Sequence, residues 1–154
     1  MSVIIRKATP EDAEHACGVL HRSIRECCTE DHHGDPAIVA AWLSNKTPGN
    51  LRLWFQSGGY PVVAEKDGLV VGVAMLTAEG TVALCYVVAE VRYTGIGKAM
   101  LFALDAEAKN RKMNSVELGS TKTAYNFYVR NGYVATGKEE SAFGLTARGM
   151  RKSM

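Results

Sequence analysis

The stretch that most constrains this chain runs from residue 82 to residue 98. An apolar run, VALCYVV, ends at Val88, a short loop follows, and Gly95-Ile96-Gly97-Lys98 opens a segment with Met100, Leu101, Leu104 and Ala108 at helical spacing. The change of period sets a strand, a loop and an amphipathic helix in that order. Two glycines at a helix start are costly unless something must come close to the backbone there. The first N–H groups of a helix lack partners, and its dipole favours an anion at that end. Arg92 and Lys98 add positive charge, so the segment reads as a cradle for a diphosphate.

Spacing excludes the better-known phosphate loops. A Walker-type loop needs Gly five residues before the Lys and Ser or Thr after it, where this chain has Tyr93 and Ala99. A dinucleotide fingerprint would place Gly at position 100, where Met100 stands, and its acidic residue at a strand end, whereas Glu117 falls mid-strand. Cys27-Cys28 and His32-His33 are adjacent pairs without paired metal-ligand spacing, so no metal is expected.

At 154 residues the chain is expected to form a single domain over 1–154. Its longest apolar runs are far short of a membrane span, and residues 1–7 do not resemble a signal peptide. Four cysteines without a framework read as reduced thiols, so a cytoplasmic protein with no membrane partner is expected. A net charge of +2 argues against nucleic acid as a partner, although the second half is the more basic.

Residues 3–8 alternate as a strand. Thr9-Pro10-Glu11-Asp12 signals a helix start, and Ala13, Ala16, Cys17, Leu20, Ile24 and Cys27 mark that helix's buried stripe. Residues 29–36 read as a polar loop and 37–44 as a short helix, which Thr47-Pro48-Gly49-Asn50 ends. Runs at 61–65, 69–77 and 82–88, separated by short Gly-bearing gaps, form an antiparallel meander. After the helix at 96–109 come a strand at 115–119, a short helix at 123–130, and strands at 133–136 and 143–150. The order implies an α/β domain with a mixed sheet covered by helices on both faces.

Arg92-x-x-Gly95-x-Gly97 after a strand and opening a helix resembles the acetyl-coenzyme A signature of the GNAT N-acetyltransferase superfamily. Further on, Ala124-Tyr125-Asn126-Phe127-Tyr128-Val129-Arg130-Asn131-Gly132-Tyr133 resembles that family's second block, Ala-x-x-x-Tyr-x-x-x-Gly-Phe/Tyr. Two departures are Ala89, where the family often has Pro, and Thr121, where it often has Asn. The resemblance implies a GNAT-like mixed, mostly antiparallel central sheet of six to seven strands, with a splayed parallel strand pair at the coenzyme site.

The same resemblance implies roles. Backbone groups of Val87 and Val88 would pair with the pantetheine arm. The diphosphate would lie on Arg92, Tyr93, Thr94, Gly95, Ile96, Gly97 and Lys98, and Asn126 would face the thiol end. Tyr128 would be catalytic, donating a proton to the departing thiolate. The implied activity is transfer of the acetyl group of acetyl-CoA, the co-substrate, to a primary amine of a small molecule or peptide by direct attack in a ternary complex. The alternative is a non-catalytic acyl-CoA-binding sensor or interaction module. The family often places a Glu or His on the strand matching residues 82–88, and this chain has neither. Glu79, Glu117, Glu30, Asp31, His32 and His33 remain candidate bases. The acids of the 29–36 loop would attract a cationic amine, and Trp42, Trp54 and Tyr60 would shape its pocket. Exposed strand edges would suit a homodimer.

Overall fold

The computed structural model describes residues 3–154. The first sheet is antiparallel, in the order β1 (Val3–Lys7), β2 (Tyr60–Lys66), β3 (Leu69–Leu76) and β4 (Val82–Val87). The second holds β5 (Ser115–Ser120), β7 (Leu145–Ser153) and β6 (Val134–Ala142), with β7 in the middle. The seven strands thus form two sheets of four and three, not one continuous sheet. The reason is local. Beside β4, β5 makes one parallel bridge, Thr81 to Glu117, with Glu117 N–H donating to the Gly80 carbonyl at 3.0 Å. Beyond it the two strands part.

Between β1 and β2 lie α1 (Ala13–Cys27), α2 (Thr29–His32), α3 (Pro36–Leu43) and α4 (Pro48–Phe55), with a 3-10 turn at Pro10–Asp12 before α1. The buried stripe of α1 is the one its spacing predicts, from Ala13 through Ile24 to Cys27. The structure differs from expectation twice in this region. The 29–36 loop contains α2, and Thr47-Pro48, which follow the end of α3 at Leu43, open a further helix, α4. Thr47 Oγ1 accepts from Asn50 N at 3.1 Å and Pro48 has no N–H that needs an acceptor, so this Thr-Pro pair starts a helix as Thr9-Pro10 does.

Helix α5 (Ile96–Asn110) covers the other side of the first sheet. Its Met100, Leu101, Leu104 and Ala108 are fully buried. A Cβ on Gly72 of β3 would lie 3.0 Å from Met100 Cε, so that face of β3 looks at α5. The alternate face, with Val73, packs under α1. Helix α6 (Tyr125–Arg130) joins β5 to β6. Among the described residues no helix is long and apolar enough to cross a membrane.

The last hairpin differs from its expected bounds. β6 runs on to Ala142, and Phe143 and Gly144, with φ of 58° and 78°, form a two-residue turn that delays β7 to Leu145. Positive φ at both central positions is what a type I′ turn requires, and it matches the twist of the flanking strands. The tip lies on the N-terminal helices. A Cβ on Gly144 would contact Ile38 Cγ1 at 3.4 Å, and the Lys46 ammonium sits 4.9 Å from the Phe143 ring centroid. His21 of α1 is half-buried and its Nε2 meets the Lys46 carbonyl at 2.7 Å.

Lys46 is only 8% exposed and, among the described residues, forms no ion pair. Burial pushes its pKa down from 10.5 to about 8. A base whose folded pKa is depressed binds fewer protons folded than unfolded between those values. Stability should therefore rise with pH from about 8 to 10.5, and below about 8 the full penalty applies. Replacing Lys46 by Met should raise the unfolding free energy at pH 7 by about 3 to 3.5 kcal/mol, from ~1.4 kcal/mol per pKa unit over the fall from 10.5 to about 8. The gain should fade by pH 10.5; denaturant titrations of both proteins at the two pH values check this. A gain equal at both values would assign it to packing instead of charge.

Candidate functional site

Where β4 and β5 part, a cleft of about 850 Å³ opens. One wall is β4. The opposite wall comprises Gly119, residues 121–124 and the α6 residues Asn126, Phe127 and Tyr128. Arg92, Tyr93, Gly95, Gly97 and Lys98 close one end, and Cys27, Cys28 and Glu30 form the side given by α1 and α2.

The β4 wall carries an open backbone edge. Val88 N–H donates to the Val71 carbonyl of β3 at 3.0 Å, and the Val88 carbonyl accepts from Val91 N at 3.2 Å. In an antiparallel ladder the hydrogen-bonded positions alternate. Val87, paired with Gly72, and Cys85, paired with Ala74, therefore turn their N–H and C=O groups away from β3 and toward the cleft. Val87 sits where a strand-like ligand could pair. Val88 does not: both its backbone groups are engaged, and its side chain is buried outside the cleft.

At the end of the cleft, Gly95 adopts φ of +88° and is the cap residue of α5. Ala99 N–H, donating to the Gly95 carbonyl at 2.9 Å, makes the first bond of the helix. The amides of Ile96, Gly97 and Lys98 precede it and have no carbonyl within the helix to meet. Arg92 packs on the Tyr93 ring at 5.1 Å, and Tyr93 is itself 90% exposed at a φ of 62°. Side chains of Thr94 and Ile96 turn elsewhere. The Thr94 hydroxyl donates to the Val91 carbonyl, and Ile96 is buried in the core. Only their amides could serve the loop.

A Cβ on Gly97 would lie 3.3 Å from Phe127 Cζ. The close approach that this glycine permits is thus between α5 and α6, not only between backbone and ligand.

Tyr128 is 7% exposed and wedged edge-on between Phe127 and Tyr133, with ring centroids 5.3 and 5.7 Å away. Burial pushes its phenol well above the usual range, and the neighbouring Cys85 thiol adds to the shift. Burial likewise pushes Cys85 and Cys28 up to about 12, so both are protonated at neutral pH and poor nucleophiles. Thr121 Oγ1 accepts from Ala124 N at 3.1 Å, which orders the turn into α6.

Most of the candidate bases are elsewhere. Glu117 pairs with Arg151 at 2.6 Å on the exposed face of the second sheet, and that cation holds its carboxyl below the usual range. Glu79 lies in the β3–β4 turn, outside the cleft wall. Asp31 is buried and accepts from Lys122 and Thr123. His32 is buried, with Nδ1 accepting from Gly34 N and Nε2 meeting the Ile24 carbonyl, both at 2.9 Å. His33 is exposed at a φ of 51° and does not line the cleft. Among the described residues Glu30 is the carboxylate on the cleft wall, facing four cations: Arg92, Lys98, Lys122 and Arg130.

The aromatic expectations need correction as well. Trp42 is buried in a separate cluster with Ile24, Cys28 and Leu43, against Val39, Tyr86 and Leu145. Trp54 and Tyr60 pack on the main core. Neither Trp42, Trp54 nor Tyr60 lines the cleft. Cys85, Tyr86, Lys122 and Arg130 do. Strand alternation could have placed Cys85 with Val87; the lining role of Lys122 has no local signal.

A sheet pair splayed along parallel strands, with free amides at the mouth of the split, defines the class of fold. A crystal structure of a GCN5-related N-acetyltransferase from Rhodopseudomonas palustris has it at a TM-score of 0.89 and 23% identity, covering 100% of this chain and 97% of that one. PaiA N-acetyltransferase from Thermoplasma acidophilum, solved with coenzyme A, matches at 0.84 and 18%, over all of both chains. Ribosomal-protein-alanine N-acetyltransferase from Brucella melitensis matches at 0.74 and 24%, over 98% and 99%. The model of the acetyltransferase (GNAT) domain matches residues 29–154, and the chain belongs to the GNAT acetyltransferase family. No curated protein matches its sequence at a significant level.

Replacing Gly97 by Val should lower stability by about 1–3 kcal/mol, the usual cost of overpacking, through the contact with Phe127. Thermal melts check this. Adding Phe127→Leu should recover part of the loss, and independent, additive losses would show that the two side chains do not meet.

Proposed function

We propose that this protein transfers the acetyl group of acetyl-CoA to a primary amine, by direct attack with both substrates in the cleft. The observation that carries the reading is the convergence on one cleft of three features: the open edge at Val87, the unpaired amides of Gly97 and Lys98 beside Arg92, and the buried phenol of Tyr128.

The residues fit such a coenzyme. Val87 offers an N–H and a C=O to an amide-bearing arm, and the start of α5 with Arg92 and Lys98 receives a diphosphate. Asn126 stands on the cleft wall one helical turn from Arg130. Bound acetyl-CoA supplies the electrophile, a thioester whose carbonyl an amine attacks with loss of the thiol. The chain's own part is positioning and proton handling. Tyr128 holds its proton throughout the neutral range, because burial disfavours the phenolate. It can therefore direct that proton at a thiolate developing in the same buried environment. Glu30 attracts a cationic amine to the mouth and takes up, directly or through water, the proton the amine must lose. An acetyl-cysteine route is disfavoured, since the cleft thiols of Cys28 and Cys85 stay protonated.

One observation favours a non-catalytic acyl-CoA-binding module: β4 carries no acid or His between Thr81 and Val88. An acetyl-transfer screen over polyamines, amino acids, aminoglycosides and peptides, following free thiol, separates the two. Turnover establishes the enzyme, and tight coenzyme binding without turnover on any acceptor favours the module.

Two substitutions test the assignment of roles. Tyr128→Phe should keep coenzyme affinity and lower turnover by on the order of 10²-fold, the low end for loss of a general acid. An unchanged rate would make Tyr128 a packing residue. The double change Arg92→Ala and Lys98→Ala should weaken coenzyme A binding in calorimetry by about 10-fold or more, since each charge-assisted contact is worth about 1.5–3 kcal/mol. It should also flatten the dependence of affinity on salt.

A further inference from the structure

We infer that Asp31 is a positioning residue: a latch across the cleft through which coenzyme bound on the α6 side orders α2, the helix that carries Glu30. The inference rests on the coenzyme reading above and adds to it a residue outside the cleft wall.

Asp31 is 7% exposed, and while its N–H donates to the Cys28 carbonyl, its side chain bonds nothing in its own half of the fold. Its Oδ2 accepts from Lys122 N at 2.7 Å, and its Oδ1 accepts from Thr123 N at 3.1 Å and from Thr123 Oγ1 at 2.6 Å. These donors lie on the far side of the β4–β5 split, in the segment that leads into α6. With only one bridge between β4 and β5, this carboxylate is a polar tie across the open part of the split.

Each end of the tie carries a cleft residue close by in the chain. Next to Asp31 is Glu30, and after Lys122 and Thr123 come Asn126 and Tyr128. Lys122, Thr123 and Ala124 themselves line the cleft, so a coenzyme lying there touches the segment that Asp31 holds. The helix at the Asp31 end is only four residues long, Thr29–His32, too short to be stable alone. It depends on its ties: Asp31 to the α6 segment, and His32 to Ile24 and Gly34. Two carboxylate oxygens sharing three donors form a strong and directional contact. Any shift of residues 122–123 is therefore felt at α2. A carboxylate with a purely local role would have its partners in its own helix, as Asp35 does at the start of α3.

Amide hydrogen exchange of the full chain, followed by mass spectrometry with and without saturating acetyl-CoA, tests the latch. In the wild type, acetyl-CoA should slow exchange at residues 92–98 and also at 29–34. In Asp31→Asn, which turns an amide NH₂ toward one of the donors, the response at 92–98 should persist. The response at 29–34 should fall by on the order of tenfold, the factor one charge-assisted hydrogen bond can supply. Thr123→Val removes a single donor and should act in the same direction, while Thr123→Ser, which keeps the hydroxyl, should match the wild type. A purely structural Asp31 would alter exchange equally with and without coenzyme. The latch is overturned if acetyl-CoA slows 92–98 but leaves 29–34 unchanged in the wild type, or if Thr123→Val keeps the full response at 29–34. No response in either segment, together with no binding heat, overturns the coenzyme reading and the latch with it.

Discussion

The parting of β4 and β5 after one bridge, Thr81 to Glu117, is the constraint on which the rest of this structure depends. A strand edge left unpaired is normally a liability, because its N–H and C=O groups seek partners. Here the fold makes the loss bearable by closing everything around it. β4 is held by β3 on its other side, and β5 by β7. α5 packs on both β4 and β5, so one helix spans the gap and brings its own free amides to the end of it. The open edge, the anion-seeking helix start and the buried Tyr128 are three consequences of the same split.

Protonation follows from the same geometry. The inner part of the cleft is lined by groups whose charged forms burial penalises: Tyr128, Cys85 and Cys28. The rim carries the permanent charges, Arg92, Lys98, Lys122 and Arg130 against Glu30. A ligand with an anionic tail and a neutral reactive end matches that division. An interior of protonated groups suits direct transfer, in which the protein stabilises a leaving group and does not itself become acylated.

Much of this is legible in the sequence, and what is not has identifiable causes. The meander, α5 and its buried face, and the strand–loop–helix around Gly95 and Gly97 all follow from local period and composition, which act over a few residues. The helix start at Thr47-Pro48 is equally local, but Thr47-Pro48-Gly49-Asn50 reads as the end of the preceding helix, and the same Thr47 caps the next. The family resemblance implies the splay of β4 from β5, but the division into separate sheets of four and three is not readable, because how far the two strands stay paired is decided by contacts distant in sequence. Asp31 and His32 read as candidate bases in a polar loop, and their structural partners are not legible for the same reason: one finds them at Lys122 and Thr123, the other at Ile24 and Gly34. Trp42 was expected at a pocket, as large aromatics often are, yet a second hydrophobic cluster under α3 takes it instead. Val88 was one residue past the open edge, and strand alternation alone separates it from Val87.

The middle strand of the second sheet is β7, the last strand in chain order, and this bears on how the protein comes into being. β5 and β6 do not pair with each other; within their sheet each is paired to β7, and β5 adds only the single bridge to Thr81. During synthesis the first sheet and its helices can assemble as soon as β4 is made, from contacts that are mostly between neighbours in sequence. The wall that holds Tyr128 cannot, because β5 waits for a partner many residues downstream, and late non-local pairing is slow. A nascent chain would pass through a stage with the first sheet covered by its helices, α5 included, and two strands of the second sheet unpaired. In that interval it is vulnerable to association with other chains, and it escapes only when residues 145–153 slide between β5 and β6.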